Sequence, residues 1–238
     1  MPVENQIIAF QNFLPGNHVL LGTAGVGKTR LLWSLLQDPS FRGENTVNIL
    51  LTYSKDRFAQ GVSQLHVVHV EPYATDLRWI SEPSKPGIYF SSCSYTPRNT
   101  TFWECLANYV VQAEGAIPHP IRLFLDFSSK HWKDNCFLEQ LIRLHFISKS
   151  IREEGTEVLN IWSVLSTLTN LPPQIKGIWK DAHLILLSPL DSTSLTNLQD
   201  FFNFSLTPSS QEALTTEKNL GRFYYLTHTE EKIYKQLF

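Results

Sequence analysis

The chain has 238 residues, a length that suits one sizeable α/β domain and is short for two. Its 20 basic and 22 acidic residues give a formal net charge of −2, so any nucleic-acid surface would have to be a local patch. The three cysteines have no metal-ligand spacing, the N-terminus lacks a signal-peptide pattern, and no apolar run approaches the roughly 20 residues of a membrane span. These features predict a cytoplasmic protein with no membrane span, one that reaches a membrane only through a partner complex.

Apolar runs alternate with amphipathic stretches along the chain, which predicts strands alternating with helices. Such alternation is typical of a mainly parallel sheet that is covered by helices on both faces. The predicted strands are 18–21, 47–53, 65–70, 87–91, 121–126, 158–165, 183–187 and 222–227. The predicted helices are 4–13, a segment from the leucines after residue 30 to residue 38, 101–114, 135–154, 172–176 and 192–202.

The segment between the first strand and its helix has the spacing of a phosphate-binding loop. Gly22-Thr-Ala-Gly-Val-Gly-Lys-Thr29 matches the pattern G-x4-G-K-[ST] in full. Glycines let backbone N–H groups approach phosphate and adopt left-handed angles, while the helix start favours negative charge. Lys28 would contact the β- and γ-phosphates and Thr29 would ligate Mg²⁺. The motif predicts ATP and Mg²⁺ as cofactors and these nucleotide-binding residues: Gly22, Thr23, Ala24, Gly25, Val26, Gly27, Lys28, Thr29 and Arg30.

With this motif in place, the predicted fold is a single P-loop NTPase domain over residues 1–238, with a mainly parallel RecA/AAA-like sheet and helices on both faces. Residues 1–17 would be an N-terminal extension, 18–205 the nucleotide-binding core, and 206–238 a C-terminal helix and a late strand.

A P-loop enzyme also needs a carboxylate at the end of a neighbouring strand to hold the magnesium ion. Asp126 ends the apolar run Ile121–Leu125 and is the predicted second metal ligand, whereas Asp191 follows a proline and suits a helix start better. The next residue is Phe127, where many hydrolysing motors carry a water-orienting glutamate. Ser128, Ser129 and Asp134 remain alternatives for that task. The sequence also leaves open whether Phe127→Glu would raise turnover or disturb packing.

The order of these parts resembles the FtsK–HerA family of hexameric DNA-pumping ATPases, which includes conjugative coupling proteins and viral packaging ATPases. The resemblance covers most of the chain from His18 onward. It lies in the P-loop, the gap of about a hundred residues before Leu123-Phe-Leu-Asp-Phe127, the helix with Arg143, Lys149 and Arg152, Ile161–Ile175, and the late Gly221-Arg-Phe-Tyr-Tyr. The chain departs from the family pattern at Phe127 and at Leu168, which stands where the family has a polar-tip glutamine. Ser166, Thr167 and Asn170 are the alternatives for sensing the γ-phosphate.

The resemblance implies an ATP-hydrolysing motor that translocates or packages double-stranded DNA as a hexameric homo-oligomer, with a virion location if it is a packaging ATPase. It also implies catalytic roles for Lys28 and Asp126, and a role for Arg152 as an arginine finger that acts on the neighbouring subunit. A helix-end arginine favoured by the dipole is the alternative for Arg152. Two other functions stay open. One is an AAA-like nucleotide-dependent switch or loader with slow or no hydrolysis, and the other is a small-molecule kinase.

Overall fold

The computed structural model describes all of the predicted phosphate-binding motif, residues 22–29, and elements around it. The described residues are 13–42, 46–52, 67–69, 87–92, 103–104, 106–108, 120–127, 131–153, 159–169, 171–202, 206–216, 222–227 and 231–235. In several of these segments only the backbone is described, among them 67–69, 87–92, 151–153 and 231–235. The predicted helix at 4–13 and most of the one at 101–114 lie outside the described residues, although 103–104 and 106–108 are helical.

In the described residues, helices lie between the first strand and the second, and between successive strands from the fifth to the eighth. The strands are β1 (His18–Leu21), β2 (Val47–Thr52), β3 (Val67–His69), β4 (Gly87–Ser92), β5 (Ile121–Asp126), β6 (Leu159–Leu165), β7 (His183–Leu187), β8 (Arg222–Leu226) and β9 (Glu231–Lys235). The helices are α1 (Lys28–Gln37), α2 (Pro39–Arg42), α3 (Asn135–Glu153), α4 (Gln174–Trp179), α5 (Ser192–Phe202) and α6 (Pro208–Thr215), with a 3-10 turn at His131–Lys133. In the described residues, none of these helices is long and apolar enough to cross a membrane.

The described strands form one sheet in the order β3-β4-β2-β5-β6-β1-β7-β8-β9. Every pairing from β3 to β7 is parallel, and β8 and β9 join antiparallel at one edge. This confirms the predicted α/β fold with a mainly parallel sheet. The order also brings together distant parts of the chain, because β1 lies between β6 and β7 while β2 lies beside β5.

Helices cover both faces of the sheet, as predicted. Leu20 of β1 points into one apolar cluster with the leucines of α1, whereas its neighbours Val19 and Leu21 point into another cluster with residues of α3, α4 and α5. The strands are therefore buried on both sides, which explains why they appear in the sequence as continuous apolar runs rather than alternating ones.

Asn17, just before β1, ties three elements together at the amino-terminal end of the sheet. Its side-chain oxygen accepts the N–H of Ile161 at 3.0 Å, and its backbone carbonyl accepts the N–H of His183 at 2.8 Å. Its amide nitrogen also lies 3.2 Å from Nδ1 of His145 on α3. One buried residue thus links β1 to β6 and α3 through its side chain and to β7 through its backbone carbonyl.

The structure changes some predicted boundaries. Helix α4 spans Gln174–Trp179 rather than 172–176, because Pro172 and Pro173 stand before its first turn. The carbonyls of these two prolines accept the N–H groups of Ile175 and Lys176. The late strand has an antiparallel partner, β9, which the sequence analysis did not predict.

Candidate nucleotide-binding site

The P-loop lies between the end of β1 and the start of α1, at the carboxyl end of the parallel strands. Gly25 has φ 85° and Gly27 φ 94°, so both adopt the left-handed backbone that glycine enters at least cost. Gly27 precedes the helix, and its carbonyl accepts the N–H of Leu31 at 2.8 Å as the first bond of α1. The predicted strand–loop–helix setting of the motif is therefore confirmed.

Gly22 is required for a different reason from the left-handed backbone that was predicted for the motif glycines. It is not among the left-handed glycines, but a Cβ built on it would lie 2.7 Å from Cγ2 of Val26 and 3.0 Å from Cβ of Leu187. Its N–H donates to the carbonyl of Leu165 at 3.2 Å. Glycine is needed here because the loop passes close to β7, not because the backbone turns left-handed.

The remaining loop side chains divide into anchors and exposed groups. The Thr23 hydroxyl donates to the carbonyl of Pro189 at 3.0 Å, which fastens the loop to the segment after β7. Val26 packs against the apolar cluster on the α1 face, so any nucleotide contact it makes would come from its backbone. Ala24 and Arg30 are exposed.

Lys28 is buried beneath the loop it belongs to. Its side chain is 8% exposed, and its ammonium donates to the carbonyls of Gly22 at 2.6 Å and Thr23 at 2.7 Å. Burial lowers the pKa of Lys28 to about 8, while the negative charge of Asp126 acts in the opposite direction. A phosphate group here would offset the cost of burying the ammonium.

Asp126 stands at the end of β5 and meets hydroxyls from two other elements. The Thr29 hydroxyl on α1 donates to Oδ2 at 3.0 Å, and the Thr52 hydroxyl at the end of β2 donates to the same oxygen at 3.2 Å. Burial raises the pKa of the Asp126 carboxyl, whereas both hydroxyls and the charge of Lys28 lower it. Thr52 is not among the site residues predicted from the sequence. The sequence feature that could have identified it is a polar residue at the end of a buried strand.

These residues fit the predicted cofactors. Thr29 and Asp126 supply the hard oxygen atoms that Mg²⁺ prefers, and their oxygens meet 3.0 Å apart. A cation beside Asp126 would offset the cost of burying its charge. Within the described part of the chain, no group of three or more His, Cys, Asp or Glu side chains could hold a metal.

Of the positions considered for orienting an attacking water, the described ones, Phe127 and Asp134, are occupied with other contacts. Phe127 is 7% exposed and packs edge-on against Phe137, with ring centroids 5.2 Å apart. The Asp134 carboxylate accepts the N–H of Phe137 at 3.1 Å and so caps α3, which argues against Asp134 for this task. Ser128 and Ser129 lie outside the described residues. Asp191 likewise caps α5 through the N–H of Ser194 at 2.7 Å, confirming its predicted helix-start role.

The polar residues after β6 lie close to the loop, because Leu165 accepts the N–H of Gly22. Ser166 is exposed, and the Thr167 hydroxyl donates to the Thr169 hydroxyl at 3.0 Å. Leu168 is buried in the larger apolar cluster, which explains why this position holds no polar side chain. Asn170 lies outside the described residues. Ser166, Thr167 and Asn170 all stay candidates for contact with a terminal phosphate.

We expect Phe127→Glu to destabilise the protein rather than to supply a useful carboxylate. The change removes an aromatic ring from a buried cluster and buries a charge, which together cost about 3–5 kcal/mol. At roughly 2–4 °C per kcal/mol for a chain of this size, the midpoint of thermal unfolding should fall by about 6–20 °C. Phe146→Glu is the matched control, because Phe146 is 63% exposed and its replacement should change stability by no more than about 0.5 kcal/mol. Equal unfolding midpoints for the two variants would contradict the packing described for Phe127.

We expect ATP affinity to fall as the pH rises above the pKa of Lys28, about 8. Above that pH the free protein has lost the Lys28 proton, so binding must take one up, and affinity should fall by up to roughly tenfold per pH unit. The same lowered pKa means that the unfolded chain binds more protons between about 8 and 10.5, so this group makes the free energy of unfolding rise with pH there. Equilibrium ATP binding across this range tests the prediction. Lys28→Arg is the control, because its charge persists. An ATP affinity of the wild-type protein that stays constant across this pH range would contradict the prediction.

No protein-family model matches the sequence, and no curated protein matches it. Solved structures do match the fold. The genome packaging NTPase B204 from Sulfolobus turreted icosahedral virus 2, in complex with ATP-γS, matches with a TM-score of 0.60 and 14% identity over 94% of this chain and 98% of that chain. VirB4 of Thermoanaerobacter pseudethanolicus matches with a TM-score of 0.59 and 11% identity over 97% and 93% of the two chains.

EssC (ATPases 2 and 3) from Geobacillus thermodenitrificans matches with a TM-score of 0.52 and 15% identity, over 92% of this chain and 39% of that chain. At such identities the likeness concerns the fold. The resemblance inferred from the motifs is confirmed at that level: the chain shares the α/β fold of these solved structures.

Proposed function

We propose that the protein is an ATP-hydrolysing motor that acts on double-stranded DNA as a homo-hexameric ring. The observation that carries the nucleotide part is the convergence of Lys28, Thr29 and Asp126 at the carboxyl end of the central strands. Lys28 would hold the β- and γ-phosphates, and Thr29 and Asp126 would hold Mg²⁺. When bound, that ion would neutralise charge on the phosphates.

The DNA and ring parts of the proposal draw on the fold. One matched structure is a genome packaging NTPase, and the shared fold extends over 94% of this chain. The described strands from His18 to Lys235 all join one sheet, which supports a single ATPase domain. We propose cytoplasmic action, or action in association with a virion if the DNA is a packaged genome. Arg152, in the last turn of α3, is the proposed finger toward the neighbouring subunit.

One observation favours a second function, an AAA-like switch or loader with slow or no hydrolysis. Phe127 is buried at the position where many motors carry a water-orienting glutamate. The Asp134 carboxylate caps α3. Water positioning of this kind is worth on the order of 10²–10⁴-fold in rate. Slow turnover by the isolated protein is therefore expected under either function.

One experiment separates the candidates: ATP turnover with and without double-stranded DNA, together with the native mass of the assembly. A hexamer whose turnover is stimulated by double-stranded DNA would support the motor. Nucleotide binding with negligible turnover under both conditions would favour the switch. A phosphorylated small-molecule product would point to a kinase. Absence of nucleotide binding in the folded wild-type protein would refute all three.

A further inference from the structure

Thr52 is a buried hydroxyl that meets the candidate magnesium ligand from the neighbouring strand. It is the last residue of β2, it is 0% exposed, and the parallel register pairs it with Asp126 at the end of β5. Its hydroxyl donates to Oδ2 of Asp126 at 3.2 Å. The contact depends on the strand order, because β2 and β5 are far apart in the sequence.

Two donors on two different elements hold one carboxylate oxygen. Thr29 reaches Oδ2 from α1 and Thr52 reaches it from β2, so the position of this atom is fixed from two directions. An aspartate held by a single bond keeps freedom about its terminal torsion, which has broad minima. A hydroxyl has one proton to donate and two lone pairs to accept with. The Thr29 oxygen can therefore face a metal while its proton stays on Asp126, and Thr52 needs no metal contact to hold the carboxylate.

We propose that Thr52 is a positioning residue that orients Asp126 for Mg²⁺ and so sets the magnesium requirement of nucleotide binding. The inference rests on the proposed nucleotide function of the site. Groups that hydrogen-bond metal ligands typically change metal affinity by about 10–100-fold when they are removed. The simpler role for Thr52 is structural, since a buried hydroxyl must find an acceptor somewhere. The two roles differ in what the loss of the hydroxyl does to magnesium.

The test is equilibrium binding of ATP-γS at fixed protein concentration, with Mg²⁺ titrated and a parallel measurement in a chelator. Thr52→Val removes the hydroxyl at nearly constant shape. Thr52→Ser keeps the hydroxyl, and Thr52→Ala differs from that variant by one oxygen atom. Thr46→Val is the control, because Thr46 is also buried but lies just before the opposite end of β2. Thermal unfolding is measured for every variant.

We expect Thr52→Val and Thr52→Ala to raise the half-saturating Mg²⁺ concentration by about 10–100-fold, with ATP-γS affinity in chelator unchanged. Thr52→Ser and Thr46→Val should stay near the wild-type value. If Thr52→Val does not fold, the comparison of Thr52→Ala with Thr52→Ser decides the question. Equal magnesium requirements in all variants would overturn the inference, and so would a Thr52→Ser variant as impaired as Thr52→Val. A wild-type protein that binds no ATP-γS would instead refute the proposed function itself.

Discussion

Lys28→Ala should weaken ATP binding by about 2–5 kcal/mol, which is roughly 30-fold to several thousand-fold. The ammonium is the buried positive charge under the loop, and its two present acceptors are the carbonyls of Gly22 and Thr23. Its removal takes away the charge that would meet the phosphates. The fold should persist, because the lost hydrogen bonds are offset by relief from burying a charge, as the lowered pKa of Lys28 indicates.

Equilibrium binding of ATP measures this effect, with thermal unfolding as the check on the fold. Lys180→Ala is the matched control, because Lys180 is exposed just after α4 and should leave ATP affinity unchanged. Unchanged ATP affinity in folded Lys28→Ala would contradict the P-loop assignment. Loss of folding in that variant would instead show that the bonds to Gly22 and Thr23 outweigh the cost of burying the ammonium.

Arg152→Ala should lower ATP turnover by about 10³-fold or more while ATP binding and assembly persist, if the residue is an arginine finger. Arg152 lies in the last turn of α3, and its backbone alone is described. A finger stabilises charge that develops during phosphoryl transfer, so its loss acts on the rate rather than on ground-state binding. Turnover, ATP affinity and native mass of the purified variant test the three parts of this expectation.

The alternative for Arg152 is a charge at the negative end of the helix dipole. That role would cost about 0.3–1 kcal/mol of stability on replacement and leave turnover near normal. Mixing the variants distinguishes action across an interface. Subunits with Lys28→Ala keep Arg152 but lack a working phosphate site, so mixed rings with Arg152→Ala should regain activity. Mixed rings without any recovered turnover would count against action on a neighbouring subunit.

The elements with clear local boundaries could be predicted from the sequence. Strands β1 and β7 were predicted to the residue, because each is a continuous apolar run that ends at Gly22 or at Ser188-Pro189. Helix α5 was also predicted to the residue, since Asp191 provides its capping side chain. The P-loop was predictable for a similar reason, as its residue types and spacing are a local pattern.

What the sequence did not predict depends on contacts between distant segments. Thr52 contacts Asp126 because β2 lies beside β5 in the sheet. The spacing of residues in the sequence does not predict that strand order. The crowding at Gly22 comes from Leu187 on β7 as well as from Val26 in the loop, so the motif alone could not supply the full reason for that glycine. Strand β9 was missed because Glu231, Lys232 and Lys235 give it the charged composition typical of an edge strand.

The network around Asn17 has a consequence for the opposite end of the sheet. Strand β1 has four residues, and the hydrogen bonds of Asn17 to β6 and β7 extend the parallel pairing of β1 with those two strands, which together fix how far along the sheet Gly22 emerges. A slip of one residue would shift the loop by about 3.3 Å and exchange Leu20 with its neighbours between the two faces. Aspartate at position 17 could still accept the N–H of Ile161, but it could not donate toward His145. The position of the phosphate-binding loop therefore depends in part on the contacts that Asn17 makes at the opposite end of a four-residue strand.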